Sequence, residues 1–132
     1  MQENIFEKLK QVIKNSKSKY YHFPVAAILE CTDNTYYQGV NIETSSPGAG
    51  TCAERCALFF ALANGKNKDE FKRIYLLNET SNFITPCFVC RQALNDYCND
   101  DLEIVTYNKL GESKTYLLKD LCNESFDEDS LK

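Results

Sequence analysis

The most informative segment of the chain runs from Thr51 to Gly65 and reads TCAERCALFFALANG. From Cys52 to Ala63 it is apolar on nearly every side, which predicts a buried helix. Asn64-Gly65 supplies a stop, because glycine readily adopts the left-handed conformation in which helices end. The sequence therefore predicts a buried helix over 52–63, with a cysteine at its first position.

The segments on either side alternate between helix and strand patterns. Ile5, Leu9, Val12 and Ile13 recur at helical spacing, and Thr85-Pro86 leads into another helix over 87–97. Short apolar runs predict strands over 23–29, 36–42, 73–78, 102–107 and 114–117. Residues 14–19 are interpreted as a polar connection, 44–50 as a loop and the region from 123 as an acidic tail. We expect one α/β domain over 1–132, a three-layer α/β/α sandwich with a five-stranded mixed sheet.

Composition excludes several classes of partner. Of 132 residues, 43% are hydrophobic and 26% charged, as in ordinary globular proteins. The net charge is −4, and the basic residues of 66–73 alternate with acidic ones, so no basic stripe could neutralise a nucleic acid. No apolar run approaches the ~20 residues of a membrane span, and the start is acidic and polar, unlike a signal peptide. We expect a cytoplasmic protein that binds neither nucleic acid nor membrane.

The seven cysteines need an explanation other than disulfides, because the expected compartment is reducing and an odd number cannot pair fully. Three of them open predicted helices: Cys52 the first, and Cys87 and Cys90 the second. Helix N-termini lower the pKa of a thiol, and zinc prefers thiolates. Three protein ligands leave the fourth tetrahedral position open to water, which is typical of a catalytic site. The pattern predicts one Zn²⁺ per chain.

Glu54 is the natural proton carrier, since it lies two residues past Cys52 on the adjoining part of the same turn. Three thiolates on Zn²⁺ leave a net charge of −1, which weakens activation of water, so a group must withdraw electron density from the sulfurs. Arg55 is our candidate for donating a hydrogen bond to them. Arg91 and Gln92 either orient the thiolates or cap their own helix.

Other interpretations of these cysteines stay open. Cys87-x-x-Cys90 alone would suit a redox pair as well as a metal, and it is Cys52 with Glu54 that favours metal. Cys56 is either a spare ligand or a small core side chain. The remaining cysteines, at positions 31, 98 and 122, have no partner at ligand spacing and are interpreted as core or surface. His22, the single histidine, is not expected to bind metal.

Cys-Ala-Glu-Arg at 52–55, followed 35 positions on by Pro-Cys-x-x-Cys-Arg-Gln, resembles the small homotetrameric zinc-dependent cytidine deaminases, over about 19–131. The resemblance implies hydrolysis of cytidine and deoxycytidine to uridine and deoxyuridine plus ammonia, in pyrimidine salvage. In such enzymes the glutamate carries protons and does not bind zinc. It also implies a homotetramer with sites at the subunit interfaces.

The resemblance further implies a set of nucleoside contacts: Phe23, Asn41, Glu43, Ala53 and Phe126. The family's matching Asn and Glu hydrogen-bond the ribose, its Phe packs beside the base or sugar, and its C-terminal aromatic enters a neighbouring subunit's site. Each has a plainer alternative: Asn41 and Glu43 could close a strand, Phe23 could be core, and the tail around Phe126 could be disordered.

The chain departs from the family pattern at three positions. Phe88 replaces a usual Gly, Pro47 a common Tyr, and Ala26 a frequent Gly.

Three rival functions remain. A blasticidin-type deaminase would not need Glu43, which suits a ribose diol; a non-enzymatic zinc module would leave three cysteines without a fourth ligand; an RNA-editing deaminase would need a basic surface.

Overall fold

The computed structural model describes residues 4–132. The strands are β1 (Val25–Cys31), β2 (Tyr36–Val40), β3 (Phe71–Asn78), β4 (Glu103–Tyr107) and β5 (Ser113–Leu117). The helices are α1 (Ile5–Val12), α2 (Ala53–Ala63), α3 (Phe88–Tyr97) and α4 (Leu118–Leu121), with 3-10 turns at Ile13–Asn15, Pro47–Ala49, Lys68–Glu70 and Glu128–Leu131. No helix formed by residues 4–132 is both long and apolar enough to cross a bilayer.

The five strands form one mixed sheet in the order β2-β1-β3-β4-β5. Strand β1 pairs antiparallel with β2 and β3, β3 pairs parallel with β4, and β4 pairs antiparallel with β5. The predicted five-stranded mixed sheet is confirmed. Only the strand limits differ, by up to two residues, as for β1, which begins at Val25 and not at Phe23.

Helices cover both faces of the sheet, because successive side chains of β1 point in opposite directions. Ala27 and Leu29 pack in one cluster with α2, α3 and α4, whereas Ala26 and Ile28 pack in a second cluster with α1. The continuous burial of β1 follows from this double coverage. The three-layer sandwich is confirmed.

Helix α2 lies unusually close to strand β2 at Gly39. A Cβ built on Gly39 would lie 2.6 Å from the carbonyl oxygen of Ala53, and closer still to the amide nitrogen of Ala57. No side chain fits there, so only glycine permits this distance between strand and helix. The contact sets the position of the first turn of α2.

The prediction that α2 is buried all round is wrong on one face. Its small residues Ala53, Ala57 and Ala61 face the sheet and are fully buried, but Phe59 and Phe60 are 47% and 49% exposed. The ring of Phe60 packs edge-on against Tyr37 of β2, with ring centroids 5.2 Å apart, and about half of each phenylalanine stays exposed. Asn64-Gly65 ends the helix as predicted, with Gly65 at φ +91°.

Candidate metal centre and active site

Two helix N-termini bring three cysteines together. Cys52 is the N-cap of α2 and Cys87 the N-cap of α3, while Cys90 lies in the first turn of α3. Their sulfur atoms all lie within 4.8 Å of one another, and the Cys52 and Cys87 sulfurs are 3.7 Å apart. The three cysteines predicted to bind zinc therefore converge.

The spacing suits one zinc ion. Two sulfurs held at about 2.3 Å from Zn²⁺ at a tetrahedral angle lie roughly 3.8 Å apart, which matches the 3.7 Å between Cys52 and Cys87. Among residues 4–132 no fourth His, Cys, Asp or Glu joins the cluster. Three protein ligands with one position left over are typical of a catalytic zinc site.

The thiols of the cluster are electrostatically coupled. A hydrogen bond from the Cys90 thiol, and then one from Arg55, lower the pKa of Cys52 to about 5 against the effect of burial. The hydrogen bond to Cys52, together with burial, raises the pKa of Cys90. The two sulfurs thus compete for a proton, and a metal cation between them would displace it.

Arg55 lies where the sequence predicts it. Its Nη2 donates to the Cys52 sulfur at 3.6 Å, and, against the effect of burial, the nearby Cys52 and Cys90 sulfurs raise the pKa of the guanidinium. Its Nε is buried and has no hydrogen-bond partner in the described part of the chain. The guanidinium places a positive charge against the sulfurs, which offsets part of the negative charge of three thiolates.

Glu54 is buried, with 4% of its surface exposed. Burial, with a smaller contribution from the nearby Cys52 sulfur, raises the pKa of its carboxyl to about 7. A carboxyl with this pKa is protonated in part and ionised in part at neutral pH, so it can both give and take a proton.

A cleft of about 360 Å³ opens beside the cysteine cluster. Its lining includes Cys52 and Arg55 together with Asn41 and Glu43, as well as the exposed aromatics Tyr20 and Tyr21. The volume is within the range of small-molecule sites. The cleft therefore joins the metal centre to two of the predicted sugar-binding side chains.

Three of the predicted nucleoside contacts lie outside this lining. Ala53 is fully buried in the first turn of α2, Phe23 is 39% exposed, and Phe126 is 58% exposed. The carbonyl oxygen of Phe126 accepts hydrogen bonds from Gln92 and Asn95, so the tail lies along α3.

Gln92 and Arg91 make no hydrogen bond to a thiolate within residues 4–132. The Gln92 amide donates to the Phe126 carbonyl at 2.9 Å and to Asp96 at 3.3 Å. The Arg91 guanidinium donates to the Pro86 carbonyl at 2.7 Å and the Leu121 carbonyl at 3.1 Å, and to the Thr85 hydroxyl. Arg91 therefore stabilises the loop that leads to Cys87, and Gln92 holds the C-terminal tail against α3.

Asn41 and Glu43 are both engaged by neighbouring groups. The Asn41 side-chain oxygen accepts from Val25 N–H and Ser16 Oγ, and its amide donates to the Phe23 carbonyl at 2.8 Å. The Glu43 carboxylate accepts from the amides of Tyr20 and Tyr21 and from Ser18 Oγ. These bonds, against partial desolvation, lower the pKa of Glu43, which keeps it ionised.

Sequence reasoning missed the serines that touch these two side chains. Ser16 and Ser18 fall in the segment interpreted as a polar connection. The composition of that segment does not distinguish it from a linker. The available signal was the spacing of 25 positions from each serine to Asn41 or Glu43, which has meaning only once the two segments are known to pair.

A three-layer α/β/α fold with three convergent thiols that fit a zinc ion and a buried carboxyl of raised pKa is typical of a zinc-dependent hydrolase. Comparison with known proteins makes the class specific. The family described as the cytidine and deoxycytidylate deaminase zinc-binding region matches residues 1–106. This chain belongs to that deaminase family, and its cofactor is zinc.

Individual relatives agree with this. A cytidine deaminase of Sporosarcina psychrophila is 30% identical over 98% of this chain and 93% of its own length. One of Halalkalibacterium halodurans is 32% identical over 81% and 80%. The crystal structure of a cytidine deaminase from Burkholderia pseudomallei superposes with a TM-score of 0.90 at 34% identity, covering 96% of this chain and 99% of that one.

Proposed function

We propose that this chain hydrolyses cytidine and deoxycytidine to uridine and deoxyuridine with release of ammonia, in pyrimidine salvage. The observation that carries the proposal is the cleft in which the Cys52 metal ligand and the Glu43 carboxylate share one lining. The relatives named cytidine deaminase support the same substrate class.

Cys52, Cys87 and Cys90 would hold the zinc, which supplies a Lewis acid that makes water nucleophilic at neutral pH. The Glu54 carboxyl gives its proton to N3 of the pyrimidine, which makes C4 electrophilic. The carboxylate so formed takes a proton from the attacking water as the oxygen bonds to C4. Glu54 then passes that proton to the amino nitrogen and recovers the remaining hydroxyl proton, the C4–N bond breaks, and ammonia leaves.

The unused hydrogen-bonding capacity of Asn41 and Glu43 suits a sugar hydroxyl. Asn41 keeps one amide N–H, since its oxygen has two donors and its nitrogen one acceptor. Glu43 accepts three hydrogen bonds of about four that a carboxylate can take. A hydroxyl can accept from the first and donate to the second. The resemblance directs both to the 3′ side, so cytidine and deoxycytidine should both be substrates.

The cleft favours a nucleoside over a nucleotide. Among the described residues that line it, Arg55 is the one cation, and it is engaged with Cys52. The Glu43 carboxylate would repel a phosphate group placed near the sugar. Free cytidine should therefore be turned over far better than CMP.

We further propose a homotetramer in which Phe126 enters a neighbouring subunit's site. Phe59, Phe60 and Phe88 leave apolar surface exposed on α2 and at the start of α3, as expected of surfaces that bind other subunits. Light scattering gives the mass of the assembly. If Phe126→Ala keeps its zinc and its assembly but raises KM for cytidine, the aromatic ring contacts substrate; an unchanged KM would contradict that role.

The test of the function is a substrate panel. Purified zinc-loaded protein is incubated with cytidine, deoxycytidine, CMP, dCMP and blasticidin S, and ultraviolet absorbance follows loss of the amino group, with Glu54→Gln protein as the background. We expect turnover of both nucleosides and little of the nucleotides. Comparable rates on CMP, or activity on blasticidin S alone, would overturn the proposal.

A further inference from the structure

The segment Ser16-Lys17-Ser18 pairs in parallel with Asn41-Ile42-Glu43. Lys17 N–H donates to the Asn41 carbonyl at 3.0 Å, and Glu43 N–H donates to the Lys17 carbonyl at 2.9 Å. The paired residues are Lys17 and Ile42, in a bridge outside the five strands. Segment 16–18, interpreted from the sequence as a linker, is therefore a short extended segment that supports the rim of the cleft.

Each serine of this support reaches the side chain 25 positions ahead of it. Ser16 Oγ donates to Asn41 Oδ1, and Ser18 Oγ donates to Glu43 Oε2 at 2.9 Å. Ser16 and Ser18 flank Lys17 just as Asn41 and Glu43 flank Ile42, so the backbone pairing brings each hydroxyl to its partner. One backbone bridge thereby fixes both predicted sugar-binding groups.

The direction of the Ser18 hydrogen bond is determined by its surroundings. Phe23 N–H donates to Ser18 Oγ at 2.8 Å, so the oxygen already accepts, and its single hydrogen goes to Glu43. Ser18 is also buried, which makes both bonds costly to lose. The same hydroxyl therefore ties Glu43 to the backbone of Phe23.

We propose that Ser16 and Ser18 are positioning residues for sugar recognition, holding Asn41 and Glu43 so that one amide N–H and one carboxylate lone pair face the substrate. The proposal rests on the proposed function, in which those two side chains bind the 3′ hydroxyl. Neither serine touches substrate itself. Each acts through the side chain to which it donates.

The test compares cytidine with 3′-deoxycytidine, which lacks only the hydroxyl that Glu43 would bind. Ser18→Ala should lower kcat/KM for cytidine roughly tenfold, mainly through KM, because a hydrogen bond to a charged group is lost. On 3′-deoxycytidine the loss should be small, and Ser18→Thr, which keeps the side-chain hydroxyl, should restore the wild-type ratio of the two activities. A loss of general packing would lower activity on both substrates alike.

Thr35→Ala is the matched control. Its hydroxyl also donates to a carboxylate, that of Asp33, but in the β1–β2 turn at the other end of β1 from Phe23. It should leave both substrates unaffected. Zinc content and melting temperature are measured for every variant, and if Ser18→Ala does not fold, Ser16→Ala carries the same test through Asn41.

Glu43→Gln and the double variant Ser18→Ala/Glu43→Gln separate the possible failures. If Ser18 acts through Glu43, the double variant loses no more sugar discrimination than Glu43→Gln alone. If Glu43→Gln reduces discrimination and folded Ser18→Ala does not, the positioning role is overturned while the proposed function stands. If Glu43→Gln leaves discrimination unchanged, the sugar contact itself is wrong, and the positioning role falls with it.

Discussion

Cys90 and Cys98 belong to the same helix and are equally buried, yet their surroundings are opposite. Cys90 lies in the first turn of α3, with the sulfurs of Cys52 and Cys87 within 4.8 Å. Cys98 is the C-cap of α3 and packs in the apolar cluster under the sheet. Burial raises the pKa of Cys98 to about 12.

The difference shows that burial alone does not decide what a cysteine does. The N-terminal end of a helix stabilises a thiolate and the C-terminal end disfavours one. Cys90 has Arg55 and the two other thiols of the cluster around it, whereas Cys98 is buried in hydrocarbon, with Lys68 and the Cys31 thiol acting only as weaker electrostatic neighbours. Of two cysteines eight positions apart, one thus belongs to a cluster that fits a zinc site and the other is a core side chain.

Replacing each of the two cysteines by alanine tests this contrast most directly. Cys90→Ala should lose its zinc and all measurable activity and melt at a lower temperature, because the metal joins α2 to α3. Cys98→Ala should keep zinc and activity and cost about 1 kcal/mol of unfolding free energy for the small cavity. Metal analysis, turnover and denaturant unfolding measure these effects. Loss of zinc from both variants would remove the contrast.

Glu54→Gln sharpens the contrast by asking whether the metal cluster is catalytic. The amide keeps the size of the side chain but cannot carry a proton, so activity should fall by at least about 10⁴-fold, more than a single acid–base step usually contributes. Zinc content and cytidine binding should be retained. If the carboxylate only stabilised the helix start, the cost would be roughly 0.3–1 kcal/mol of stability. Near-normal turnover in zinc-loaded protein would remove Glu54 from the mechanism.

Arg55→Gln tests the charge placed against the Cys52 sulfur. Loss of an outer hydrogen bond to a metal ligand should weaken zinc affinity or activity about 10–100-fold. Competition with a chelator measures the affinity, and turnover is read at saturating zinc. Arg55→Lys, which keeps the charge but not the planar fork, should recover part of the loss. Unchanged zinc affinity and turnover in the Gln variant would show that the guanidinium does not tune the sulfurs.

Thiol labelling gives the smallest effect and needs no mutation. With zinc stripped by chelator, iodoacetamide should label Cys52, whose pKa is lowered to about 5, and leave Cys98 unlabelled. With a pKa of about 12, Cys98 remains a thiol across pH 7–9, so raising the pH in that window should not expose it. Peptide mass spectrometry locates the label. Denaturant should make Cys98 reactive, and labelling of Cys98 in folded protein would contradict its core role.

Much of the site could be predicted from the sequence because its chemistry is local. Cys52 and Glu54 share one turn, and Cys87 and Cys90 share another, so residue type and spacing carry the information. Gln92 could not be placed in this way, since its partner Phe126 lies 34 positions along the chain. Tertiary contacts of that kind leave no periodic signal.

The fold was predicted where patterns are long and missed where they are short or depend on partners. Strand β1 has seven consecutive buried residues, and the sequence predicts its limits to within two positions, whereas α4 has four residues, too few for helical periodicity. The exposure of Phe59 and Phe60 depends on what covers that face of α2, which hydrophobicity alone does not reveal. Segment 16–18 is polar, so the sequence gives no indication that it pairs with segment 41–43.

Gly39 would stand out in a saturation mutagenesis screen for deaminase activity. Any larger residue there must push α2 outward at Ala53 and Ala57, and the displaced helix carries Cys52 and Glu54 with it. The phenotype would resemble that of an active-site lesion, although Gly39 belongs to β2 and does not line the cleft. Libraries of variants built on this fold should therefore keep glycine at position 39, because it helps to set the geometry of the catalytic centre.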